Sequence, residues 1–255
     1  MRLDKYLSER FFSSRTKAAR AVSEGRVTVN GKIGKPSDEV KEGDDIRVAE
    51  DHPYVSLGGK KLERALTMFG ENVAGAVCAD FGASTGGFTD CLLRAGAKRV
   101  FAIDVGESQL AAGLAADARV TVLDNTNVRY LRPEDLPERP DVVTIDVSFI
   151  SLTYVLPAAA SLLADGGKIF ALIKPQFECG GKGLDKHGVI KDAAWRAELV
   201  LRVIGAANAV GLQAYALVNA PLQPKKNVEY MVGFVKSAEK FLDGDQIKSL
   251  AVNLI

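Results

Sequence analysis

Val77-Cys-Ala-Asp-Phe-Gly-Ala-Ser-Thr-Gly-Gly-Phe-Thr-Asp-Cys-Leu-Leu-Arg94 is an apolar run, a glycine-rich turn and an amphipathic run, in that order. Residues 77–81 have the length and composition of a buried strand, and residues 87–95 those of a helix. Glycines at a strand-to-helix turn let a ligand approach the backbone and leave helix N–H groups free for its polar atoms. Taken alone, such a turn can equally be one that merely packs tightly. Its spacing carries more information. After Gly82 the next two glycines, Gly86 and Gly87, are adjacent, whereas a dinucleotide fingerprint separates its second and third glycines by two residues. This argues against a nicotinamide enzyme and for a ligand without a pyrophosphate.

Outward from this turn the pattern repeats. Apolar, β-branched-rich runs fall at 99–103, 119–123, 141–145, 168–173, 212–218 and 229–235. Helical stretches lie near 60–70, 108–116, 151–164 and 193–209. Alternation of strands and helices predicts an α/β fold with a mostly parallel sheet covered on both faces. The strand ends carry polar residues. The second ends at Asp104, where an acid can hold a ribose hydroxyl pair, and the third at Asp124-Asn125, placed to contact an adenine. The fourth runs into Asp146-Val-Ser-Phe-Ile-Ser and the fifth into Lys174-Pro-Gln-Phe-Glu. A lysine at the end of a buried strand is costly unless it is used or paired, and a structural bridge to Asp146 is its bland role. The glycine-rich stretch from Glu178 to Gly188, with Lys182 and Lys186, reads equally as a substrate flap or a long surface connection.

The first 48 residues are of another kind. Leu3, Tyr6, Leu7 and Phe11 have helical spacing. Ser13 and Ser14 offer caps for a second helix from Arg15 to Glu24, with Ala18, Ala19 and Val22 as its buried stripe and Gly25 as its stop. Asn30-Gly31 then marks a hairpin, and Ile46 to Val48 a last strand. From Met1 to Lys35 nine basic residues stand against Asp4, Glu9 and Glu24, so a chain of net charge +1 hides a basic segment. That is either a solvated surface or an electrostatic footprint for nucleic-acid phosphates. Residues 49–57, broken by Pro53, read as the linker, and 58–255 as the second domain.

Composition narrows the classes. No apolar stretch approaches the ~20 residues of a membrane span, and residues 1–20 lack the apolar core of a signal peptide. Cys78, Cys91 and Cys179 have no metal-type spacing, and His52 and His187 are the only histidines. A reduced, cytoplasmic setting without a metal site is expected.

The N-terminal order, with Ser-Ser-Arg before the second helix and Glu-Gly-Arg-Val-Thr-Val-Asn-Gly after it, resembles the S-four-type RNA-binding domain. The resemblance implies RNA contact through the second helix and the following loop, hence Ser14, Arg15, Lys17, Arg20, Arg26 and Asn30. Asn30 is also read as shaping its turn. The glycine turn, Asp104 and Asp124 at successive strand ends resemble the S-adenosylmethionine site of class I methyltransferases, a seven-stranded Rossmann-like fold. By that resemblance Asp80, Gly82, Ser84, Thr85, Gly86, Gly87, Phe88 and Thr89 surround the methionine part of the cofactor. Asp104 binds its ribose, and Asp124 and Asn125 lie near its base.

Lys61, Asp146, Lys174 and Glu229 follow the order of the Lys-Asp-Lys-Glu tetrad of FtsJ-type ribose 2′-O-methyltransferases. Ser-Leu-Gly-Gly-Lys-Lys-Leu, Asp-Phe-Gly-Ala-Ser-Thr-Gly-Gly-Phe-Thr-Asp, Asp-Val-Ser-Phe-Ile-Ser and Lys-Pro-Gln-Phe-Glu together resemble the TlyA family, often labelled hemolysin A. Lys61 is preferred to Lys60 because Leu62 follows it. The resemblance implies 2′-O-methylation of ribosomal RNA, free or in subunits. A 2′-hydroxyl is a poor nucleophile until its proton is taken or hydrogen-bonded away, and a free lysine, titrating at ~10.4, is mostly protonated at neutral pH. Burial and a second lysine lower that value, whereas Asp146 and Glu229 raise it and orient the amine. The expected roles are Lys174 as base or steering group, Asp146 and Glu229 as its partners, and Lys61 as RNA holder or charge balance.

The rival readings are a base methyltransferase, a non-enzymatic RNA-binding protein and a pore-forming protein. Carbon-5 methylation of pyrimidines needs a catalytic cysteine beside a proline, a setting none of the three cysteines has. Amino methylation commonly uses Asn/Asp-Pro-Pro-aromatic, where this chain has Asp146-Val-Ser-Phe. An RNA-binding or ribosome-assembly protein would not require a complete tetrad, and a pore-forming hemolysin would want a membrane-length or strongly amphipathic basic segment.

Overall fold

The computed structural model describes residues 1–12, 14–23, 25–48, 53–223, 225–236 and 241–253. It divides into two compact units, Met1–Pro53 and Tyr54–Ile255.

In the first unit, helices α1 (Leu3–Arg10) and α2 (Arg15–Ser23) precede strands β1 (Val27–Val29), β2 (Lys32–Ile33) and β3 (Ile46–Val48). Ser14 Oγ accepts from Lys17 N at 3.2 Å and so caps α2; Ser13, the other expected cap, lies outside the described residues. Asn30 and Gly31 both take positive φ, the backbone a tight two-residue hairpin demands, and β1 pairs antiparallel with both β2 and β3. The core joins Leu3 and Leu7 to Ala18, Ala21, Val22 and Val27. Ala21 takes the place expected for Ala19, because positions 18, 21 and 22 share one helix face whereas Ala19 turns partly toward solvent.

Asp4 is buried at the edge of this core. Its carboxylate accepts from Nε and Nη2 of Arg2 at 3.2 and 3.1 Å, and from the same atoms of Arg15 at 3.0 and 3.3 Å. Hydrogen bonding to Arg2, then to Arg15, outweighs burial and holds the acid at about 2, below its ordinary 3.8. A depressed acid contributes stability above its unfolded value and loses it as pH falls through the folded one. Asp4→Asn is therefore expected to lower the melting temperature at neutral pH and to give a shallower decline between about pH 4 and pH 2. Parallel declines in thermal scans of the two proteins would show that another group governs acid unfolding.

The second unit begins at Tyr54, so it takes in the last four residues read from sequence as linker. Tyr54 is buried, its hydroxyl donates to Glu63 Oε1 at 2.8 Å, and Val55 N donates to Asp90 Oδ2 at 2.9 Å. Its elements run α3 (Gly58–Phe69), β4 (Val77–Phe81), α4 (Gly87–Arg94), β5 (Arg99–Ile103), α5 (Ala112–Ala115), β6 (Val120–Leu123), β7 (Val142–Ile145), α6 (Leu156–Leu162), β8 (Lys168–Ile173), α7 (Pro175–Glu178), α8 (Ala193–Ala209), β9 (Gln213–Asn219), β10 (Tyr230–Val235) and α9 (Gly244–Asn253). The seven strands lie in the order β6-β5-β4-β7-β8-β10-β9. The first five are parallel, and β10 inserts antiparallel to both β8 and β9.

Alternate side chains of the central strands enter separate cores. Phe81, Ile145, Ile169 and Ile173 pack with α6, α8 and α9, whereas Cys78, Phe170 and Leu172 pack with α3 and α4. Both faces are thus covered, which is why these strands read as continuous apolar runs. Two expected helices are shorter than their sequence pattern. The stretch 108–116 yields only α5, and 151–164 yields a 3-10 turn, Leu152–Tyr154, followed by α6. Pro157 can sit only in the first turn of a helix and fixes where α6 starts. Helix α9 was not expected. Asp243 Oδ1 accepts from Gln246 N while Gln246 Oε1 accepts from Asp243 N, a capping box written in the sequence as Asp-Gly-Asp-Gln.

Candidate active site

The antiparallel insertion of β10 puts its first residues beside the last residues of β8, with Tyr230 opposite Ile173. Glu229, immediately before β10, therefore meets the segment after β8. Asp146 follows the parallel neighbour β7, and Lys61 comes from the first turn of α3. Side chains distant in sequence form two ion pairs at one end of the sheet. Lys61 Nζ donates to Glu229 Oε2 at 2.6 Å. Lys174 Nζ lies 2.7 Å from Asp146 Oδ1, a charge contact without hydrogen-bond alignment, and its hydrogen bond goes to Ser148 Oγ at 2.8 Å.

Only 8% of Lys174 is exposed, so its charge is largely shielded from solvent. Burial works against the Lys61 ammonium, but Asp146 and Glu229 outweigh it and raise that pKa above the ordinary lysine value. Lys61 is thus held as a cation. Sequence reasoning missed Ser148, although it sits inside the quoted Asp-Val-Ser-Phe stretch.

Lys61 and Glu229 line a separate cavity of about 230 Å³, whereas beside the Lys174–Asp146 pair lie two that share Gly82, Ser84, Asp146 and Ser148. The larger of these two, about 500 Å³, is lined by Asp104, Val105 and Gln109 after β5, by Thr126 to Arg129 after β6, and by Val147 to Ile150 after β7. The smaller, about 180 Å³, adds Ser56, Gly58, Thr85, Gly87, Phe88 and Lys174. Gly82 has φ +80°, and a Cβ there would come within 2.8 Å of Asp146 O. Only glycine lets the β4 turn pass so close to the β7 end. Asp104 accepts from Ser84 N and Gly106 N, each at 2.8 Å. A carboxylate has about four acceptor sites, so capacity for a ligand remains.

Several expected cofactor residues lie elsewhere. Asp80 is wholly buried beneath the turn and accepts from Thr89 Oγ1 at 2.7 Å and Thr144 Oγ1 at 2.9 Å. Burial pushes its pKa up to about 6 despite these bonds. Thr89 is buried with it, and Gly86 caps α4 at φ +96°. Asp124 accepts from Ser108 N at 2.8 Å and Asn125 N donates to Gly106 O at 3.1 Å, while Thr126, Asn127 and Val128 line the cavity in their place. The cavity-lining residues of this loop begin at Thr126, directly after the pair read from the strand end.

Phe149 lines the larger cavity with 90% of its surface exposed and φ +63°, a conformation rare for an aromatic residue. Its ring packs on Phe177 at 5.0 Å, and Phe177 lies 5.8 Å from Lys174 Nζ. The loop after Glu178 is tied down at several points. Asn227 Nδ2 donates to Gly188 O and Ile190 N donates to Asn227 Oδ1, at 2.8 and 2.9 Å, while Trp195 Nε1 donates to Lys182 O at 3.2 Å.

In the first unit, Arg15, Lys17 and Arg20 are exposed on α2, and Arg26 lies 5.8 Å from the Phe12 ring. Ser14 is occupied as a cap. Asn30 donates to Asp44 Oδ1 at 2.8 Å and accepts from Asp45 N at 2.9 Å, bonds that lock the hairpin. Arg2, outside the sequence-derived set, shares Asp4 with Arg15. Among the described residues no helix is long and apolar enough to cross a membrane, and no group of His, Cys, Asp and Glu could hold a metal ion.

Comparison with known proteins agrees with this architecture. Residues 54–236 match the FtsJ-like methyltransferase model and residues 1–46 the S4 domain model. The chain is 43% identical over 223 residues to the 16S/23S rRNA (cytidine-2′-O)-methyltransferase TlyA of Mycobacterium tuberculosis, covering 86% of this chain and 83% of that protein. It is 39% identical to hemolysin A of Brachyspira hyodysenteriae, covering 92% of this chain and all of that one. A solved structure from Streptococcus thermophilus that carries a hemolysin label superposes with a TM-score of 0.79 at 36% identity, covering 100% of this chain and 95% of that one. The chain belongs to the FtsJ-like methyltransferase family, in the TlyA group that joins an S4 domain to this fold.

Proposed function

We propose that this protein transfers a methyl group from S-adenosylmethionine to a ribose 2′-hydroxyl of ribosomal RNA. The observation that carries this reading is the Lys174–Asp146 pair lining a glycine-rich cleft, with the Lys61–Glu229 pair near enough for the Asp146 charge to act on Lys61. The names of the TlyA relatives support the RNA and the position on the sugar.

The residues present fit the cofactor. Backbone from Gly82 to Gly87 leaves room for a polar chain, Asp104 offers acceptors to a hydroxyl pair, and Ile103, Val105, Val128 and Ile150 give a base apolar walls. When bound, the cofactor supplies a methyl group on a sulfonium, ready for in-line displacement. The protein's part is to align and activate the hydroxyl. Lys174, between Asp146 and Ser148, takes or holds the hydroxyl proton. Asp146 and Ser148 fix the direction of the amine, Glu229 keeps Lys61 in place, and Lys61 offsets the negative charge of the two carboxylates. Phe149 presents an exposed ring on which an unstacked base can rest.

Nuclease digestion of RNA methylated by the purified protein, followed by mass spectrometry, is expected to place the methyl group on a ribose. A methyl group on a base would overturn the reading. Asp104→Ala is expected to weaken S-adenosylmethionine binding by roughly 1.5–3 kcal/mol, the worth of a charged acceptor. Unchanged affinity by calorimetry, in a folded variant, would remove Asp104 from the cofactor site.

A further inference from the structure

Glu229 is gripped from two sides. One oxygen, Oε2, takes the bond from Lys61; the other, Oε1, accepts from Gln176 Nε2 at 3.0 Å. Gln176 sits in α7, the single helical turn directly after Lys174. Pro175 starts that turn with its fixed φ. Glu178 ends it, accepting from Leu152 N at 2.9 Å and from Ser151 Oγ at 2.5 Å. The turn therefore ties the β7 segment that carries Asp146 and Ser148 to the β8 segment that carries Lys174, and Gln176 extends the tie to Glu229.

The amide can be held in only one sense. Reversed, it would set its oxygen against a carboxylate oxygen. In the sense observed, Gln176 Oε1 is buried without a hydrogen-bond partner among the described residues. A buried acceptor without a partner costs stability, and a side chain there only to fill space would not need one. The geometry points to a specific use of the donor. We propose that Gln176 is a positioning residue for methyl transfer, which holds the Glu229 carboxylate so that Lys61 stays paired and the Lys174–Asp146 pair is left free to meet substrate. This rests on the reading of the reaction given above.

The charged groups around Gln176 and its partner are Glu229 itself, Lys61 from α3, Lys226 before β10, Asp146 after β7 and Lys174 two residues before Gln176. Two near-isosteric variants separate positioning from packing. Gln176→Met keeps the volume and loses the donor. It is expected to lower kcat roughly 10- to 100-fold, the worth of a hydrogen bond to a charged group. S-adenosylmethionine affinity and RNA KM should stay within about twofold of wild type. Gln176→Glu restores a donor only when its new carboxyl is protonated, since two adjacent carboxylates share a proton more readily than both ionise. Its kcat relative to Gln176→Met is expected to climb as pH is lowered and to fall back as pH is raised. A role in packing alone would move with neither change.

Wild-type kcat in Gln176→Met, or a pH-independent ratio between the two variants, would overturn the proposal. Turnover is scored as total methyl transferred to ribosomal RNA. A product mapped to a base therefore removes the ribose reading while the comparison of variants still decides Gln176. If the wild-type chain transfers no methyl group at all, thermal unfolding of the same variants takes over. Gln176→Glu must then lose melting temperature relative to Gln176→Met as pH rises, and an unchanged difference would show that Gln176 does not hold Glu229.

Discussion

Lys174→Ala is expected to bind S-adenosylmethionine with wild-type affinity and to lose turnover by roughly 10²–10⁴-fold, the usual worth of a positioned acid–base group. Binding is spared because the glycine turn and Asp104 are untouched, although the smaller cavity gains the space the side chain leaves. The lysine lies at the end of a buried strand with a carboxylate and a hydroxyl as its polar partners, an expensive arrangement for a residue of structural value alone. Lys174→Arg then divides the two roles left open. Arginine keeps the positive charge and cannot give up its proton, so it can steer a hydroxyl but cannot serve as its base. Activity near wild type in the arginine variant assigns Lys174 to steering, and inactivity assigns it to proton removal. Full turnover in Lys174→Ala would remove it from the mechanism.

Removal of residues 1–53 is expected to leave cofactor affinity intact and to weaken binding to ribosomal RNA by about 100-fold or more at moderate salt, because the basic N-terminal segment goes with it. The cut belongs at Pro53, since Tyr54 fills a core position of the second unit. A finer version keeps the fold. Arg15→Ala with Arg20→Ala should lower the slope of log affinity against log salt by about 0.7–0.9 for each lost phosphate contact. Arg15 also braces Asp4, so the pair of variants should be compared with Lys17→Ala, whose side chain is exposed on the same helix. Equal methylation by the truncated and full-length proteins would show that the first unit is not the RNA anchor.

Strands and the major helices were legible in the sequence because each central strand is buried on both faces and each glycine stop is local. What escaped depends on tertiary context. Ala19 and Ala21 are identical in chemistry, so only the packing of α1 against α2 decides which is inside. Asp80, Asp104 and Asp124 all stand at strand ends, and sequence alone treats them alike. In the fold Asp104 reaches the cleft, Asp80 points into the core toward two threonines, and Asp124 turns back to hold Ser108 N. The four residue types stood in the order of the family pattern, but their pairing was not legible, because only the antiparallel placement of β10 beside β8 brings Glu229 to Lys61. Gln176 was missed because an amide beside a lysine carries no signal of its own.

The placement of β10 also sets a timetable. It is the last strand among the described residues, yet it lies between two strands that precede it in the chain and pairs with both along its length. Until β10 is made, β8 has an open edge and β9 has no sheet partner, and edges of that kind invite wrong partners. Glu229 enters with the same strand. A nascent chain can build its glycine turn and its strand-end aspartates early, but it carries an incomplete charge set until that late arrival closes the sheet. A chain cut short before β10 would lack Glu229, and with it the partner that holds the Lys61 ammonium.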